Sequence, residues 1–211
     1  MMSARPLVIS DCDEVLLHMV AHFRDFCSEQ HGVDFHWEGG SFARSMRYRA
    51  SGDVLAEEDM WRLLNLFFDT EMHRQTPIAG AVEAASAIGE RADFVILTNL
   101  KDFRMEARAR QLADHEIHAR VFTNQGPKGP ALKAILEEYR PSQAFFIDDI
   151  AAHHASVGTE TPHVMRLHFC GEPLVAPHIE CAHERGDAHA RIDSWAQALP
   201  WLLERLEGNR T

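Results

Sequence analysis

Three short apolar segments of the sequence each end at polar residues of the kind that enzymes use for chemistry. They are PLVIS (residues 6–10) before Asp11, DFVIL (residues 93–97) before Thr98, and AFFI (residues 144–147) before Asp148 and Asp149. Continuous apolar runs of this length predict strands that are buried on both faces, as the strands of a parallel sheet are.

Helical patterns alternate with these strands along the chain. They occupy residues 78–90, 102–115, 130–139 and 194–206, and the last of them has Ser194 as its predicted N-cap. Residues 120–123 and 164–169 are predicted to be two further strands. This alternation predicts an α/β, Rossmann-like fold, in which a parallel sheet is flanked by helices.

One segment between the first two strands breaks the alternation. It contains two long helical patterns, residues 14–31 and 56–74, around a stretch rich in Gly, Ser and Arg, residues 32–53. The sequence therefore predicts an α/β core domain, residues 1–15 and 77–211, and a small all-helical cap domain, residues 16–76. The polar, His-rich stretch 171–191 is predicted to be a surface loop.

Composition excludes several classes of protein. The chain has 211 residues, enough for one core and a small accessory domain, and 45% of them are hydrophobic, which indicates a packed core. The net charge of −11 argues against a nucleic-acid or anionic-membrane partner. No apolar run approaches the ~20 residues that span a bilayer, and no signal-peptide pattern is present. The scattered cysteines predict free thiols and a cytoplasmic location; they are Cys12, Cys27, Cys170 and Cys181.

The polar strand ends define a chemistry. Ligands of open α/β sheets lie outside the carboxyl ends of the strands, so these side chains are expected to meet at one edge. Clustered carboxylates repel one another unless a divalent cation such as Mg²⁺ joins them, whereas lysine and a threonine hydroxyl suit phosphate oxygens. A metal site and an oxyanion site together predict phosphoryl transfer. The set is Asp11, Asp13, Thr98, Lys128, Asp148 and Asp149.

Four motifs in this order resemble those of the haloacid-dehalogenase (HAD) superfamily. They are D-C-D-E-V at 11–15, L-T-N at 97–99, Lys128 in G-P-K-G-P, and F-I-D-D at 146–149. The resemblance implies that Asp11 is a nucleophile that becomes phosphorylated and also a metal ligand. It implies that Asp13 is the acid/base, with its carbonyl on the metal. Implied phosphate ligands are Thr98, Lys128 and the N–H groups of Cys12 and Asn99, and Asp148 and Asp149 would complete the Mg²⁺ site, with Asp149 favoured as the direct ligand.

Some residues depart from the family pattern or have alternative interpretations. Glu14 stands where the family often has glycine, so the turn is expected to differ or Glu14 to face the site entrance. Lys133 is the alternative to Lys128. Three further groups are interpreted chiefly as structural: Arg44, Arg47 and Arg49 as surface charges rather than substrate ligands, Phe35, Trp37 and Phe42 as cap core, and the His18/His22 pair as no zinc site.

The function expected from the resemblance is a Mg²⁺-dependent phosphatase that acts on a small phosphorylated metabolite; no oligomeric state is indicated. A metal-independent haloacid dehalogenase of the same fold is an alternative, although Asp13 argues against it. A phospho-receiver module also uses clustered carboxylates, Thr and Lys, but in a different chain order. A catalytically silent binding or regulatory protein on this fold stays open because of Glu14.

Overall fold

The structure, a computed structural model, describes residues 4–37 and 42–208. Its strands, numbered along the chain, are β1 Leu7–Ser10, β2 Val33–Phe35, β3 Met46–Tyr48, β4 Asp93–Thr98, β5 Arg120–Thr123, β6 Ala144–Asp148, β7 Met165–His168 and β8 Ala190–Arg191. Six of them form one sheet in the order β5-β4-β1-β6-β7-β8, and every pairing in it is parallel. The predicted α/β fold is therefore confirmed.

The helices are α1 Val20–His31, α2 Glu57–Thr70, α3 Ala81–Gly89, α4 Met105–Asp114, α5 Gly129–Tyr139, α6 Ala151–Glu160 and α7 Trp195–Glu207. Side chains of a strand alternate between the two faces of its sheet. Val8 accordingly packs in a cluster with residues of α3, α4 and α7, whereas Leu7 and Ile9 pack with residues of α5 and α6. The sheet thus has a helical layer on each face, and its central strands are buried on both sides.

The insertion between β1 and β4, residues 16–76, has an apolar cluster of its own. Phe23, Phe26 and Phe67 meet at its centre, with ring centroids 5.7 to 6.5 Å apart. The insertion is not all-helical as predicted, because β2 and β3 pair antiparallel within the stretch that was expected to be a loop. Residues 38–41 of that stretch lie outside the described residues.

The first helix of the insertion is shorter than predicted. α1 begins at Val20 rather than near residue 14. Glu14 has a left-handed backbone, with φ 60°, and the N–H groups of Leu16 and Leu17 both bond to the carbonyl of Cys12. Residues 14–17 therefore form a tight turn. The left-handed backbone at Glu14 is incompatible with a right-handed helix at this position.

Two other parts of the chain differ from the sequence prediction. α6 directly follows the fourth motif, F-I-D-D at 146–149, and was not predicted. The stretch 171–191 contains buried residues, among them Glu172 and Ala182, and it ends in β8, which extends the sheet. Ser194 precedes α7 as predicted, but its side chain makes no capping hydrogen bond. None of the helices in residues 4–37 and 42–208 is long and apolar enough to cross a membrane.

Candidate active site

The ends of β1, β4 and β6 bring three predicted site residues together. Ser10 pairs with Ile96 on one side and with Ile147 on the other, so each central strand ends at the same level of the sheet. Asp11 and Asp148 follow on adjacent strands, and the N–H of Asp11 donates to the carbonyl of Ile147 at 2.8 Å. Thr98 ends β4 and is buried. The predicted convergence at the carboxyl edge is what the topology produces.

Lys128 is buried between two carboxylates of this edge. Its Nζ lies 2.9 Å from Oδ1 of Asp11 and 2.7 Å from Oδ2 of Asp148. Both carboxylates raise the pKa of Lys128 further than burial lowers it, so the ammonium is charged. Lys133, the alternative, is half-exposed on α5 and lies 3.7 Å from Glu160, away from this cluster.

Close packing of two helices sets the position of Lys128. The residue precedes α5, whose first residue is Gly129. A Cβ at Gly129 would lie 2.5 Å from the carbonyl oxygen of Ser156 on α6, a distance that real Cβ atoms do not reach. Glycine at this position therefore lets α5 approach α6 and places the lysine under the strand ends.

The carboxylates outnumber the cation that neutralises them. One ligand oxygen from each of Asp11, Asp148 and Asp149 lies within 4.8 Å of the others. Burial raises the pKa of Asp11 to about 7, although Lys128 acts against the shift. Burial and the charges of Asp148 and Asp11 raise the pKa of Asp149 well above its usual value. A buried group with excess negative charge and only oxygen donors fits a hard divalent cation such as Mg²⁺.

The two acidic residues at the end of β6, Asp148 and Asp149, have different environments. Asp148 uses both of its oxygens within the protein, because Oδ2 accepts from Lys128 and Oδ1 accepts from the N–H of Ile150 at 2.8 Å. Burial acts to raise the pKa of Asp148, but the charge and hydrogen bond of Lys128 and the nearby His153 and His154 together outweigh it, so the net shift is downward. Asp149, by contrast, lines the cavity above the strand ends.

Asp13 is held by two side chains that the sequence did not indicate. Nη2 of Arg108 donates to both carboxylate oxygens, at 3.0 and 3.1 Å, and Nε2 of Gln75 donates to Oδ1 at 2.7 Å. Arg108 on α4 is fully buried, and Gln75 lies in the segment that leads from the insertion back to the core. Sequence reasoning missed Arg108 because one arginine in a charged helix carries no distinguishing signal.

Glu14 retains the backbone that glycine would have. With φ 60° it adopts the left-handed turn at a conformational cost of roughly 1–2 kcal/mol. Its Oε1 accepts from the N–H groups of Met19 and Val20 at 3.1 and 2.6 Å, so Glu14 caps the start of α1. Burial raises its pKa well above the usual value. Of the two expectations, the structure supports the second, because Glu14 lines the cavity; its carboxyl group also binds the backbone at the start of α1.

The remaining predicted phosphate ligands surround Asp11. The N–H of Cys12 donates to Oδ1 of Asp11 at 2.7 Å, and Thr98 and Asn99 line the cavity. The side chain of Asn99 bonds to the carbonyl of Gly126 at 3.0 Å, in the loop before Lys128. The first three motifs are therefore connected by direct contacts.

Two buried histidines form hydrogen bonds to the backbone of the acidic motif, and the sequence did not indicate this role for either of them. Nε2 of His154 lies 2.9 Å from the carbonyl of Asp148, and Nε2 of His168 lies 2.9 Å from the carbonyl of Asp149. Burial lowers the pKa of His154 to about 4, so its ring is neutral and donates through Nε2. These bonds fix the backbone that carries both carboxylates.

A cavity of about 350 Å³ lies over the strand ends. Its polar end is formed by Asp11, Asp13, Glu14, Thr98, Asn99, Asp149 and His153, and its other walls are mainly apolar. Trp37 and Phe42 line it as well as packing on Phe35, so they are more than the cap core that was predicted.

The other candidates from the sequence lie elsewhere. Arg49 binds Asp34 at 2.6 Å, Arg47 bonds to the carbonyl of Gly52, and Arg44 is exposed, in agreement with surface charges. His18 and His22 have separate partners: Nδ1 of His18 lies 2.7 Å from Glu172, and Nε2 of His22 bonds to Thr76. The two histidines thus have no bonding partner in common. The four cysteines are free.

Comparison with known proteins shows the fold. No family model matches the sequence, and no curated protein matches it. Solved structures do match over nearly the whole chain. A haloacid dehalogenase-like family protein from Streptococcus pneumoniae is 12% identical, with 96% of this chain and 100% of that chain covered and a TM-score of 0.66. A HAD family hydrolase from Deinococcus radiodurans, solved with bound phosphate and sodium, is 18% identical, with 97% of each chain covered and a TM-score of 0.65.

A third neighbour is described as a predicted phosphoglycolate phosphatase, from Haemophilus somnus. It is 10% identical, with 96% of this chain and 100% of that chain covered and a TM-score of 0.63. The chain therefore has the fold of these haloacid dehalogenase-like proteins.

Proposed function

We propose that the protein is a Mg²⁺-dependent phosphatase that hydrolyses a small phosphomonoester through an aspartyl phosphate on Asp11. The observation that carries this proposal is the buried contact of Lys128 with Asp11 and Asp148 beside Asp149. A nucleophilic carboxylate, a fixed cation and spare oxygen ligands are what a phosphoryl-transfer site requires. The neighbours with this fold that are named as a hydrolase and a phosphatase support the same reaction class.

The residues divide into metal ligands and substrate ligands. Asp11, Asp149 and the carbonyl of Asp13 would hold Mg²⁺, with Asp148 anchored to Lys128 behind them. When bound, the ion supplies positive charge that offsets the phosphoryl oxygens and the carboxylates. Lys128, the Thr98 hydroxyl and the N–H groups of Cys12 and Asn99 would bind the phosphoryl oxygens.

Asp11 would attack the phosphorus atom, and the ester oxygen would leave on the opposite side. Asp13 would donate a proton to that oxygen and afterwards accept one from the water that hydrolyses the aspartyl phosphate. Arg108 and Gln75 hold the Asp13 carboxylate at the edge of the cavity, so we propose that they position it for both proton transfers. Glu14 is assigned a structural role.

We further propose that residues 16–76 act as a cap domain on a core of residues 1–15 and 77–211. The insertion has its own apolar cluster and supplies walls of the cavity over Asp11. A cover of this kind excludes water and selects the leaving group. The free cysteines agree with the cytoplasmic location that we propose.

The test is phosphate release from an aryl phosphate, with Mg²⁺ and with chelator, for the wild type and Asp11→Asn. We expect release that needs Mg²⁺ and is lost in the variant, because an amide is a poor nucleophile. Asp114→Asn, the same change at an exposed position of α4, is the control and should leave release unchanged. Release that survives in Asp11→Asn would refute the assignment of the nucleophile.

Two other outcomes would replace the proposal. Halide release from a 2-haloacid in the presence of chelator would indicate the metal-independent dehalogenase. Absence of phosphate release by the wild type from every member of a panel of phosphomonoesters would indicate a binding or regulatory protein on this fold.

A further inference from the structure

The cavity over Asp11 has a sharp division between polar and apolar walls. Carboxylates, Thr98, Asn99 and His153 form the end that faces the strand edge. The rest of the wall comes from apolar side chains on three separate parts of the chain: the insertion, the residue after the acidic motif, and the stretch after β7. Among them are Trp61, Leu64 and Phe68 on α2, Ile150, and Val175 and Ile179.

The leaving group of a substrate would contact mainly hydrocarbon side chains in the apolar walls. In the described part of the chain, no lysine or arginine side chain lines this cavity. A second phosphate or a carboxylate on the substrate would therefore have no cation to receive it beyond the phosphoryl site.

Two further cations line a neighbouring depression, which shares the α2 side chains of Trp61, Leu64 and Phe68 with the cavity. Lys101 and Arg104 line that depression together with Asn65. Arg104 is nearly buried, because it binds Asp69 at 2.7 Å and Asn65 at 3.0 Å. Arg104 thus holds α2 to the core, and neither it nor Lys101 lines the cavity over Asp11.

We propose that the substrate is the phosphate monoester of a hydrocarbon alcohol, in which the leaving group carries no charge and no hydroxyl beyond the ester oxygen. This inference rests on the proposed phosphatase function and specifies its substrate class. The cavity volume of about 350 Å³ lies at the lower end of the range for ligand pockets, so it suits a phosphoryl group and a short chain or single ring.

Desolvation gives the physical reason for this preference. A methylene that moves from water to an apolar wall gains binding free energy, whereas a hydroxyl that moves there without a partner loses its hydrogen bonds to water. A polyol chain of the same length would place several hydroxyls against Trp61, Leu64 and Phe68, where no side chain can bond to all of them.

The experiment compares two esters that differ only in hydroxyl groups. Hexyl phosphate and a hexitol 6-phosphate are both primary phosphates with a six-carbon chain, so their leaving groups have similar chemistry. We expect kcat/KM with Mg²⁺ to be at least about 30-fold higher for hexyl phosphate, since several hydroxyls lose their partners in the second ester. From butyl to hexyl phosphate, kcat/KM should rise about fourfold for each methylene.

A matched pair of variants connects the preference to the cavity. Leu64→Asn places an amide in the wall, whereas Leu66→Asn makes the same change on α2 at an exposed position outside it. We expect Leu64→Asn to lower kcat/KM for hexyl phosphate by about tenfold and to leave methyl phosphate nearly unchanged. Leu66→Asn should change neither value.

A binding measurement keeps the inference testable without turnover. Trp37 and Trp61 line the cavity, so their fluorescence should report hexyl phosphonate and a hexitol phosphonate, which cannot be hydrolysed. Tighter binding of hexyl phosphonate by at least about tenfold is expected. Equal binding of the two phosphonates overturns the inference.

The outcomes for the inference and for the proposed function are distinct. Faster release from the hexitol ester or from a carboxylate-bearing ester overturns the apolar substrate class and leaves the phosphatase standing. Absence of release from every ester refutes the phosphatase, and the phosphonate binding then decides by itself whether the cavity prefers hydrocarbon.

Discussion

Replacement of Lys128 by methionine removes a buried charge while keeping most of the side-chain volume. Lys128 is fully buried, and it contacts Asp11 at 2.9 Å and Asp148 at 2.7 Å. Both carboxylates stay buried in Lys128→Met and lose their partner at the same time. Breaking a buried pair in this way costs about 3–5 kcal/mol of unfolding free energy near neutral pH.

The loss of stability should depend on pH in a defined direction. In the wild type the Lys128 charge lowers the pKa of Asp148, so that carboxylate contributes stability above its unfolded pKa. In the variant, burial without the cation should raise the folded pKa of Asp148 above its unfolded value, and that of Asp11, already raised to about 7 in the wild type, should rise further. The folded protein then binds more protons than the unfolded chain, and its stability falls as pH rises. For one such proton the deficit grows by about 1.4 kcal/mol per pH unit.

Urea unfolding in chelator measures this deficit. Curves for the wild type and Lys128→Met at about pH 7.5 and about pH 5.5 should show a gap that shrinks by up to about 2.7 kcal/mol at the lower pH. Lys133→Met is the control, because Lys133 is 54% exposed and lies 3.7 Å from Glu160, and it should cost less than about 1 kcal/mol. A difference in unfolding free energy between the wild type and Lys128→Met below about 1 kcal/mol at the higher pH would refute the argument. A difference that does not change with pH would refute it as well.

Three further substitutions test the supports of the site. Glu14→Ala and Glu14→Gly both remove the cap of α1, but only alanine keeps the left-handed strain, so urea unfolding should show the glycine variant more stable by about 1 kcal/mol; equal stability would contradict the strain. Gly129→Ala should lose about 1–3 kcal/mol in the same assay, because its Cβ would meet Ser156, whereas Gly89→Ala, with open space around it, should lose nothing. Arg108→Lys loses the contact with both oxygens of the acid/base carboxylate, so kcat should fall about tenfold or more with little change in KM; an unchanged kcat would argue against positioning.

The sheet and its polar edge could be predicted because their signal is local. A short apolar run before Asp11 predicts a buried strand, and parallel topology then places its carboxyl end beside those of its neighbours. The same reasoning located Lys128 in a loop before a helix. Chain order alone was sufficient for these residues, since each one directly follows or precedes a regular element.

Residues that act through tertiary contacts gave no such signal. Arg108 and Gln75 reach Asp13 from positions 95 and 62 residues away along the chain. His154 and His168 bond to backbone carbonyls, so nothing in their side-chain neighbours marks the role. The start of α1 was misplaced for a related reason: helical periodicity continues through residues 14–17, but the left-handed turn at Glu14 prevents a helix there.

The apolar wall of the cavity depends on α2, which carries two rows of apolar side chains. Helical periodicity in the sequence does not tell these two rows apart. Leu63 and Phe67 pack in the insertion's own cluster, as one face of an amphipathic helix should. Trp61, Leu64 and Phe68 form a second apolar row at spacings of three and four, and this row lines the cavity. Phe68 is also part of the insertion's cluster and Leu64 packs against it, whereas Trp61 is 52% exposed. The second row therefore contributes both to the packing of the insertion and to the wall of the cavity, and the surface that it presents there is hydrocarbon.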